Sequence, residues 1–123
     1  EPTHTLSGAR LVHDKKRVFY VQHGYVQAAE AETGKPLWAL RVGYGARLHY
    51  GSKQLLAAGA RKIHLLEPTT GRIRWSKAVR EPAAYALLRD TLYVATSGRL
   101  RAFDSGTGRV KWQTNAPLLL PSA

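Results

Sequence analysis

The sequence of 123 residues lacks cysteine and methionine altogether and has only eight acidic residues. The absence of cysteine excludes disulfide bonds, thiolate zinc sites and cysteine nucleophiles. The absence of methionine indicates that residue 1 is not a translation start, so we expect a processed chain or part of a longer one. No apolar run approaches the ~18 residues that a membrane-spanning helix needs. A content of 44% hydrophobic residues indicates a globular chain. The length of 123 residues is enough for one domain with a single core.

The scarcity of acids leaves a strong positive charge, with 19 lysine and arginine residues and a formal net charge of +11. Such an excess favours an acidic partner, which can be nucleic acid, an anionic lipid surface or an acidic protein. The same charge also keeps a protein soluble without any partner. Charge alone leaves both interpretations open.

Signatures of catalysis and of metal binding are also missing from the sequence. The five histidines show no HExxH spacing, and neither a GxSxG elbow nor a phosphate-binding GxxxxGKS or GxxxxGKT loop is present. Calcium needs about six to eight oxygen ligands. The acids outside the repeated motif described below are scattered, at Glu1, Asp14, Glu32, Glu81 and Asp90. We therefore expect no catalytic residue, no cofactor and no metal.

The sequence does contain a repeat of 37 residues. It places the only three tryptophans of the chain at Trp38, Trp75 and Trp112. A Thr-Gly pair precedes each tryptophan, and a carboxylate stands four residues before each glycine. The glycines are Gly34, Gly71 and Gly108, and the carboxylates are Glu30, Glu67 and Asp104. A base follows each glycine, at Lys35, Arg72 and Arg109. Such repetition at a fixed period is the signature of a repeat architecture.

Each repeat is predicted to form four short strands. In the first repeat they cover residues 9–13, 17–22, 25–31 and 36–42, which are rich in β-branched and aromatic residues and are separated by turns. Four strands in about 40 residues are typical of a propeller blade, with a flat β-solenoid as the alternative. The sequence therefore predicts an all-β fold of three four-stranded antiparallel blades. These blades cover residues 9–43, 46–80 and 83–117 of one propeller segment, 1–123.

Three segments resemble the tryptophan-docking motif of the pyrroloquinoline-quinone (PQQ) type propeller repeats, Ala-x-Asp-x-x-Thr-Gly-x-x-x-Trp. They read AAEAETGKPLW, LLEPTTGRIRW and AFDSGTGRVKW. The sequence departs from the motif at Leu65, where alanine is usual, and at Glu30 and Glu67, where aspartate is usual. The resemblance implies that each tryptophan lies flat between neighbouring blades and that the carboxylate shapes the turn. The repeated acids, glycines and tryptophans are thus expected to hold the blades together.

The resemblance implies two kinds of function. Quinone-dependent dehydrogenases of this family use a catalytic aspartate, calcium-binding acid and amide groups and often a disulfide near the quinone, whereas this chain has no cysteine and no cluster of acids. A fragment of such an enzyme is the third interpretation. The non-enzymatic members include envelope propellers that help outer-membrane protein assembly and sensor domains attached to kinases. They imply a scaffold that binds a protein or peptide partner in a periplasmic or extracellular location, which is the first interpretation.

The second interpretation rests on where the positive charge falls. In a propeller, the turn after the first strand of a blade shares a face with the turn after the third strand. Seven bases are predicted on that face: Lys15, Lys16, Lys35, Lys53, Arg72, Arg89 and Arg109. They could contact a polyanion such as nucleic acid or anionic lipid, with Tyr44 and Tyr50 as candidates for stacking on bases. The alternative is a solvated rim of charged turns.

Three blades do not close a propeller ring, because closed rings have about four to eight blades. We therefore expect either further blades in a longer chain or a homo-oligomer that completes the ring. Two copies would supply about six blades, which is a common ring size.

Overall fold

The computed structural model of the chain describes residues 6–79 and 83–115. These residues form thirteen β-strands, which are arranged in three antiparallel sheets. This part of the chain has no helix, and so none that could cross a membrane. The all-β prediction is confirmed. The predicted blade limits at residues 80 and 117, like the acids Glu1 and Glu81, lie outside the described residues.

The sheets follow the sequence repeat, with one sheet for each copy. The first sheet contains β2 (Leu11–His13), β3 (Arg17–Gln22), β4 (Tyr25–Glu30) and β5 (Pro36–Arg41). The middle sheet contains β1 (Leu6–Ala9), β6 (Arg47–Gly51), β7 (Gln54–Ala58), β8 (Lys62–Leu66) and β9 (Ile73–Ala78). The third sheet contains β10 (Ala84–Leu88), β11 (Thr91–Thr96), β12 (Arg99–Asp104) and β13 (Val110–Asn115).

The middle sheet is buried on both faces because a neighbouring sheet packs against each of them. Its strand β7 is a nearly continuous apolar run whose last four residues are all buried. Alternate residues of a strand point to opposite faces. Leu55 and Ala57 therefore join a core with the first sheet, whereas Leu56 and Ala58 join a core with the third. Burial of each leucine stabilises the packing by about 2 kcal/mol.

The structure differs from the prediction at the start of the first repeat. The segment predicted as one strand, 9–13, is divided between two sheets: Ala9 ends β1, and Leu11 begins β2. Strand β1 pairs with β6, so the middle sheet has five strands instead of four. Gly8 lies in a register shift of this pair and has a φ of +66°. A bulge of this kind bends the chain, which lets it leave the middle sheet and enter the first.

The inner strands of the sheets are β2, β6 and β10, and the middle one, β6, contacts the other two. Strand β1 lies along the inner edge of β6 and also contacts the other two inner strands. The edge of a sheet presents unpaired backbone N–H and C=O groups, which can pair with any extended segment that reaches them. The open edge of β6 thus allows β1 to join the middle sheet, although β1 precedes the first sheet in the chain.

Two sets of turns define two faces of the molecule. The N–H of Ala31 donates to the carbonyl of Lys16 at 2.9 Å, which joins the turn after the first strand of the sheet to the turn after the third strand. We call this surface the turn face. It comprises residues 14–16, 31–35, 52–53, 67–72, 89–90 and 105–109. On the opposite surface the N–H of Val42 donates to the carbonyl of Gly24 at 2.9 Å. We call it the crossing face, because the chain passes there from one sheet to the next.

Candidate functional site

The first copy of the repeated motif forms a closed turn between β4 and β5. The hydroxyl of Thr33 donates to Glu30 Oε1 at 2.6 Å, and Thr33 Oγ1 accepts the N–H of Lys35 at 3.1 Å. The N–H of Gly34 donates to the carbonyl of Glu30 at 2.8 Å. Gly34 has a φ of +77°, a conformation that glycine adopts without the clash of a Cβ atom. The acid, the hydroxyl and the glycine therefore act together to close one turn.

The carboxylate of the motif reaches different groups according to its length. In the second copy, as in the first, the longer glutamate meets the threonine: the hydroxyl of Thr70 donates to Glu67 Oε1 at 3.0 Å. In the third copy Asp104 Oδ1 accepts the N–H groups of Gly106 at 2.8 Å and Thr107 at 3.1 Å. The shorter side chain thus forms an Asx turn with the backbone. Both arrangements close the turn, so glutamate can stand where the PQQ-type motif has aspartate.

The first two tryptophans bond across to the next sheet. The indole N–H of Trp38 donates to the carbonyl of Pro68 at 2.9 Å, and that of Trp75 donates to the carbonyl of Ser105 at 2.7 Å. Both acceptors belong to the motif turn of the following repeat. A buried indole usually finds a partner for its N–H, and here that partner fixes the ring against a neighbouring sheet.

The ring of each of these tryptophans also covers the glycine of the next motif. A Cβ atom added to Gly71 would lie 2.4 Å from Trp38 Cε3, and one added to Gly108 would lie 3.0 Å from Trp75 Cδ2. Both glycines have a positive φ, of +76° and +79°. Glycine is therefore required at these positions for two reasons, the backbone conformation and the close approach of the tryptophan ring.

The outermost copies of the motif lack this contact. A Cβ atom added to Gly34 would have no neighbour within 4 Å. Trp112 is 45% exposed, and its ring lies 6.2 Å from that of Tyr93 in its own sheet. Within residues 6–79 and 83–115, no tryptophan thus packs on the glycine of the first motif, and the tryptophan of the last motif packs on no glycine.

These contacts allow a matched test of the close approach. Gly71→Ala should lower the free energy of unfolding by about 3 kcal/mol, because the left-handed backbone costs about 1 kcal/mol and the clash with Trp38 adds to it. Gly34→Ala should cost only about 1 kcal/mol, because it carries the backbone term alone. Urea unfolding of both variants measures the difference. Equal losses in the two variants would contradict the role assigned to the tryptophan ring.

All seven bases predicted on the turn face are exposed there: Lys15, Lys16, Lys35, Lys53, Arg72, Arg89 and Arg109. Two acids of this face are bound to other bases, since Asp14 pairs with Arg17 at 2.7 Å and Asp90 with Lys111 at 3.0 Å. Burial tends to raise the pKa of Asp14, but hydrogen bonds from Arg17 and from the backbone outweigh it and lower that pKa. A hydrogen bond from Lys111 likewise lowers the pKa of Asp90. The turn face therefore keeps a positive surface.

A groove of about 430 Å³ opens on the turn face between the first and middle sheets. Residues from both sheets line it: Asp14, Lys16, Arg17, Tyr50, Lys53, Pro68 and Thr69. Two of the seven predicted bases lie in this lining. The others lie on the turn face outside it, so the structure brings together part of the predicted set.

The two tyrosines proposed for base stacking differ in exposure. Tyr44 is 80% exposed but lies next to Gly24 on the crossing face, away from the seven bases, whereas Tyr50 is only 6% exposed. Its ring stacks on Phe19 with 6.3 Å between the ring centres, and burial raises its pKa. The prediction of Tyr50 as a stacking residue is therefore wrong, because its place on β6 turns it into the core.

The part of the chain that the structure describes has no group of three or more His, Asp or Glu residues that could hold a metal ion. Of the histidines, His49 is buried on β6. His64 on β8 is hydrogen-bonded to Ser76 Oγ at 2.6 Å. His23 occupies an exposed turn. These three histidines thus occupy two different strands and a turn.

Residues 22–121 match the family model described as outer membrane protein assembly factor BamB. The chain belongs to the BamB family. The resemblance to PQQ-type propeller repeats is thereby confirmed. No curated protein matches the chain in sequence.

Solved structures of BamB and of related propellers share the fold. BamB from Moraxella catarrhalis has a TM-score of 0.69 at 19% identity, over 89% of this chain and 37% of that chain. The computationally designed Ika8 protein has a TM-score of 0.69 at 17% identity, over 85% and 35%. Quinohemoprotein alcohol dehydrogenase from Comamonas testosteroni has a TM-score of 0.65 at 14% identity, over 89% and 21%. The chain thus spans about a third of the BamB structure, and its three sheets form a propeller segment whose ring is not closed.

Proposed function

We propose that the chain is a non-enzymatic propeller scaffold that binds a protein or peptide partner during outer membrane protein assembly, in the bacterial cell envelope. Membership of the BamB family supports this proposal. The observation that carries it is the exposed, positively charged turn face. Loops and turns on a rigid scaffold are the usual place for recognition.

Three bases of the turn face occupy backbone positions that disfavour a side chain. Lys15, Lys53 and Arg89 have φ values of +77°, +62° and +55°. A residue with a Cβ atom is strained there by roughly 1–2 kcal/mol, whereas glycine is not. Strained backbone positions of this kind are often found at functional sites. We assign to these bases the recognition of an acidic segment of the partner.

The groove between the first and middle sheets gives that segment a place to insert. Its lining contains the bases Lys16, Arg17 and Lys53 and one acid, Asp14. Because Asp14 already pairs with Arg17, the two lysines are left to attract an acidic side chain of the partner. The volume of about 430 Å³ is within the range of pockets that bind small groups.

A complementation experiment tests this function. In a bacterium that encodes the protein, its loss should lower the amount of folded barrel protein in the outer membrane. The native gene should restore that amount, and a Lys16→Glu, Lys53→Glu double variant should not, because charge reversal repels an acidic partner. A matched double variant away from the turn face, Lys62→Glu with Arg74→Glu, should restore it. Both variants are first checked for folding by circular dichroism.

The outcomes distinguish a failure of the proposed function from a failure of the proposed binding surface. Unchanged outer membrane proteins after loss of the chain would overturn the proposed function. Full restoration by the turn-face variant would overturn the assignment of the partner to the groove.

Polyanion binding is the second candidate, and the seven exposed bases of the turn face favour it. The chain should then be retained on heparin and elute above about 0.15 M salt, because release of counterions makes such binding salt-dependent. An Arg72→Gln, Arg109→Gln variant should elute earlier than the native chain. Elution of the native chain below physiological salt would count against this candidate.

The first and last copies of the motif favour completion of the ring by a further sheet. No tryptophan packs on Gly34, and the ring of Trp112 is half-exposed. Either further blades or a second copy of the chain could supply the missing halves. Sedimentation of the chain tests self-closure: we expect an assembly with an even number of copies, and a stable monomer would contradict it.

A further inference from the structure

A second groove, of about 310 Å³, lies on the crossing face between the middle and third sheets. It is formed by the end of β9, the turn between β11 and β12, and the end of β13. Its polar lining comes from Thr96, Ser97, Arg99, Arg101 and Asn115. Ala78 and Val79 provide an apolar wall. The lining contains no acidic residue.

Arg101 has a side-chain hydrogen-bond donor in this groove that the fold leaves without an acceptor. Its Nε is buried and has no hydrogen-bond partner within the described residues. The guanidinium carbon lies 5.5 Å from the ring centre of Phe103, which is buried in the core between the two sheets. A buried N–H without an acceptor is costly and uncommon in folded proteins. An acceptor that enters the groove would remove that cost.

The other donors of the groove suit an acceptor with several oxygens. Arg99 and Arg101 present planar guanidinium groups, which match the two oxygens of a carboxylate. The hydroxyls of Thr96 and Ser97 and the amide of Asn115 add neutral donors on the same lining. No ion pair of Arg99 or Arg101 with an acid occurs in residues 6–79 and 83–115.

This donor set is confined to one repeat. The position of Arg101 is taken by Gln27 in the first repeat and by His64 in the second, and His64 is bonded to Ser76. The position of Arg99 is taken by Tyr25 in the first repeat and by Lys62 in the second. Because the other two sheets form without these arginines, the fold itself does not require them.

We propose that the groove binds a carboxylate of a peptide partner, with Arg101 and Arg99 as the charged donors. The inference rests on the proposed function, because it takes the partner to be a peptide. The carboxylate can come from an acidic side chain or from the carboxyl terminus of the peptide, and the apolar wall at Val79 accommodates the adjoining carbon atoms.

Nuclear magnetic resonance of the ¹⁵N-labelled chain tests the proposal, because the arginine Nε–H signals report directly on the donors. The probes are three N-acetylated tripeptides: Ala-Glu-Ala amide, Ala-Gln-Ala with a free carboxyl terminus, and Ala-Gln-Ala amide. At constant ionic strength, at least one acidic probe should shift the Arg101 Nε–H signal and the Gly98 amide in a saturable way. The neutral probe should not. The response to the first two probes identifies the source of the carboxylate.

Variants then locate the site. Arg101→Gln and Arg99→Gln should each weaken binding of the responding probe by about tenfold, as expected for loss of a charged hydrogen bond. Arg72→Gln, on the turn face, should leave it unchanged. Arg99 is exposed, so its variant tests the site even if Arg101→Gln fails to fold.

Three results would overturn the proposal: no saturable shift with either acidic probe, the same shift with the neutral probe, or unchanged affinity in both arginine variants. An equal response to inorganic phosphate would also overturn it, because the site would then accept oxyanions in general. None of these results bears on the complementation experiment, whose variants leave Arg99 and Arg101 unchanged. A failure of that experiment would likewise leave a carboxylate shift at Arg101 intact.

Discussion

Trp38→Ala and Trp75→Ala should each lower the free energy of unfolding by about 3 kcal/mol, whereas Trp112→Ala should cost about 1 kcal/mol or less. Each of the first two side chains packs on a glycine of the next sheet and donates its N–H to a carbonyl there. Truncation leaves a cavity between two sheets and an acceptor without its donor. Trp112 is half-exposed and contacts Tyr93 of its own sheet, so little packing is lost with it.

Urea unfolding followed by far-ultraviolet circular dichroism measures these losses without relying on tryptophan fluorescence. Trp38→Phe is a useful intermediate, because it retains an aromatic ring over Gly71 and removes the hydrogen bond to Pro68. We expect it to cost about 1 kcal/mol more than the packing change alone. If Trp112→Ala were as destabilising as Trp38→Ala, docking between sheets could not be the source of the loss.

The repeat made much of the fold predictable, because its signals are local and recur at one period. The contacts of Glu30, Thr33 and Gly34 fall within a single turn, so the order of residue types in the chain is enough to indicate them. The tryptophan contact is not local, but it joins the tryptophan of one copy of the motif to the glycine of the next copy, as Trp38 and Gly71 show. A fixed period therefore carries information about contacts between sheets as well as within them.

The features that the sequence did not predict depend on which edges and faces meet in space. Strand β1 joins β6 because the inner edge of that strand is open to it, and no residue pattern within β1 specifies this partner. The burial of Tyr50 had a signal that was available: one repeat later the same position is Leu87, which is also buried. Comparison of the repeats at each position would have placed Tyr50 in the core.

The two grooves follow from the same physical cause. Neighbouring sheets are held together in the middle by apolar side chains, and at the turns polar residues replace this core. The groove on the turn face contains Lys16 and Lys53, and that on the crossing face contains Arg99 and Arg101. The sequence shows these bases but not the clefts, because a cleft is formed by residues from two repeats. Both clefts carry positive charge in a chain of net charge +11, which favours acidic segments as ligands on both faces.

Acidification should weaken the fold through His49, which lies on β6 with only 7% of its surface exposed. Its Nδ1 accepts the N–H of Gly8 at 3.1 Å, so this nitrogen carries no proton in the folded chain. Burial lowers the pKa of His49 from 6.5 to about 4. Below pH ~6.5 the unfolded chain therefore binds a proton that the folded chain does not bind until about pH 4. The contribution of His49 to stability is complete above that window and is lost as the pH falls through it.

We expect the native chain to lose about 2 kcal/mol through His49 between about pH 7.5 and about pH 4.5, measured by urea unfolding at both values. In His49→Gln the amide oxygen can still accept the N–H of Gly8 and does not titrate, so the loss should shrink by that amount. His23→Gln, in an exposed turn, should retain the full loss. Asp14 and Asp90, whose pKa values are lowered, titrate below this window and do not mask the effect.

A His49→Gln variant as sensitive to acid as the native chain would contradict the assignment and direct attention to His64, whose pKa burial also lowers. The outcome matters for the position of β1, because protonation of His49 removes the acceptor that holds Gly8 on the middle sheet.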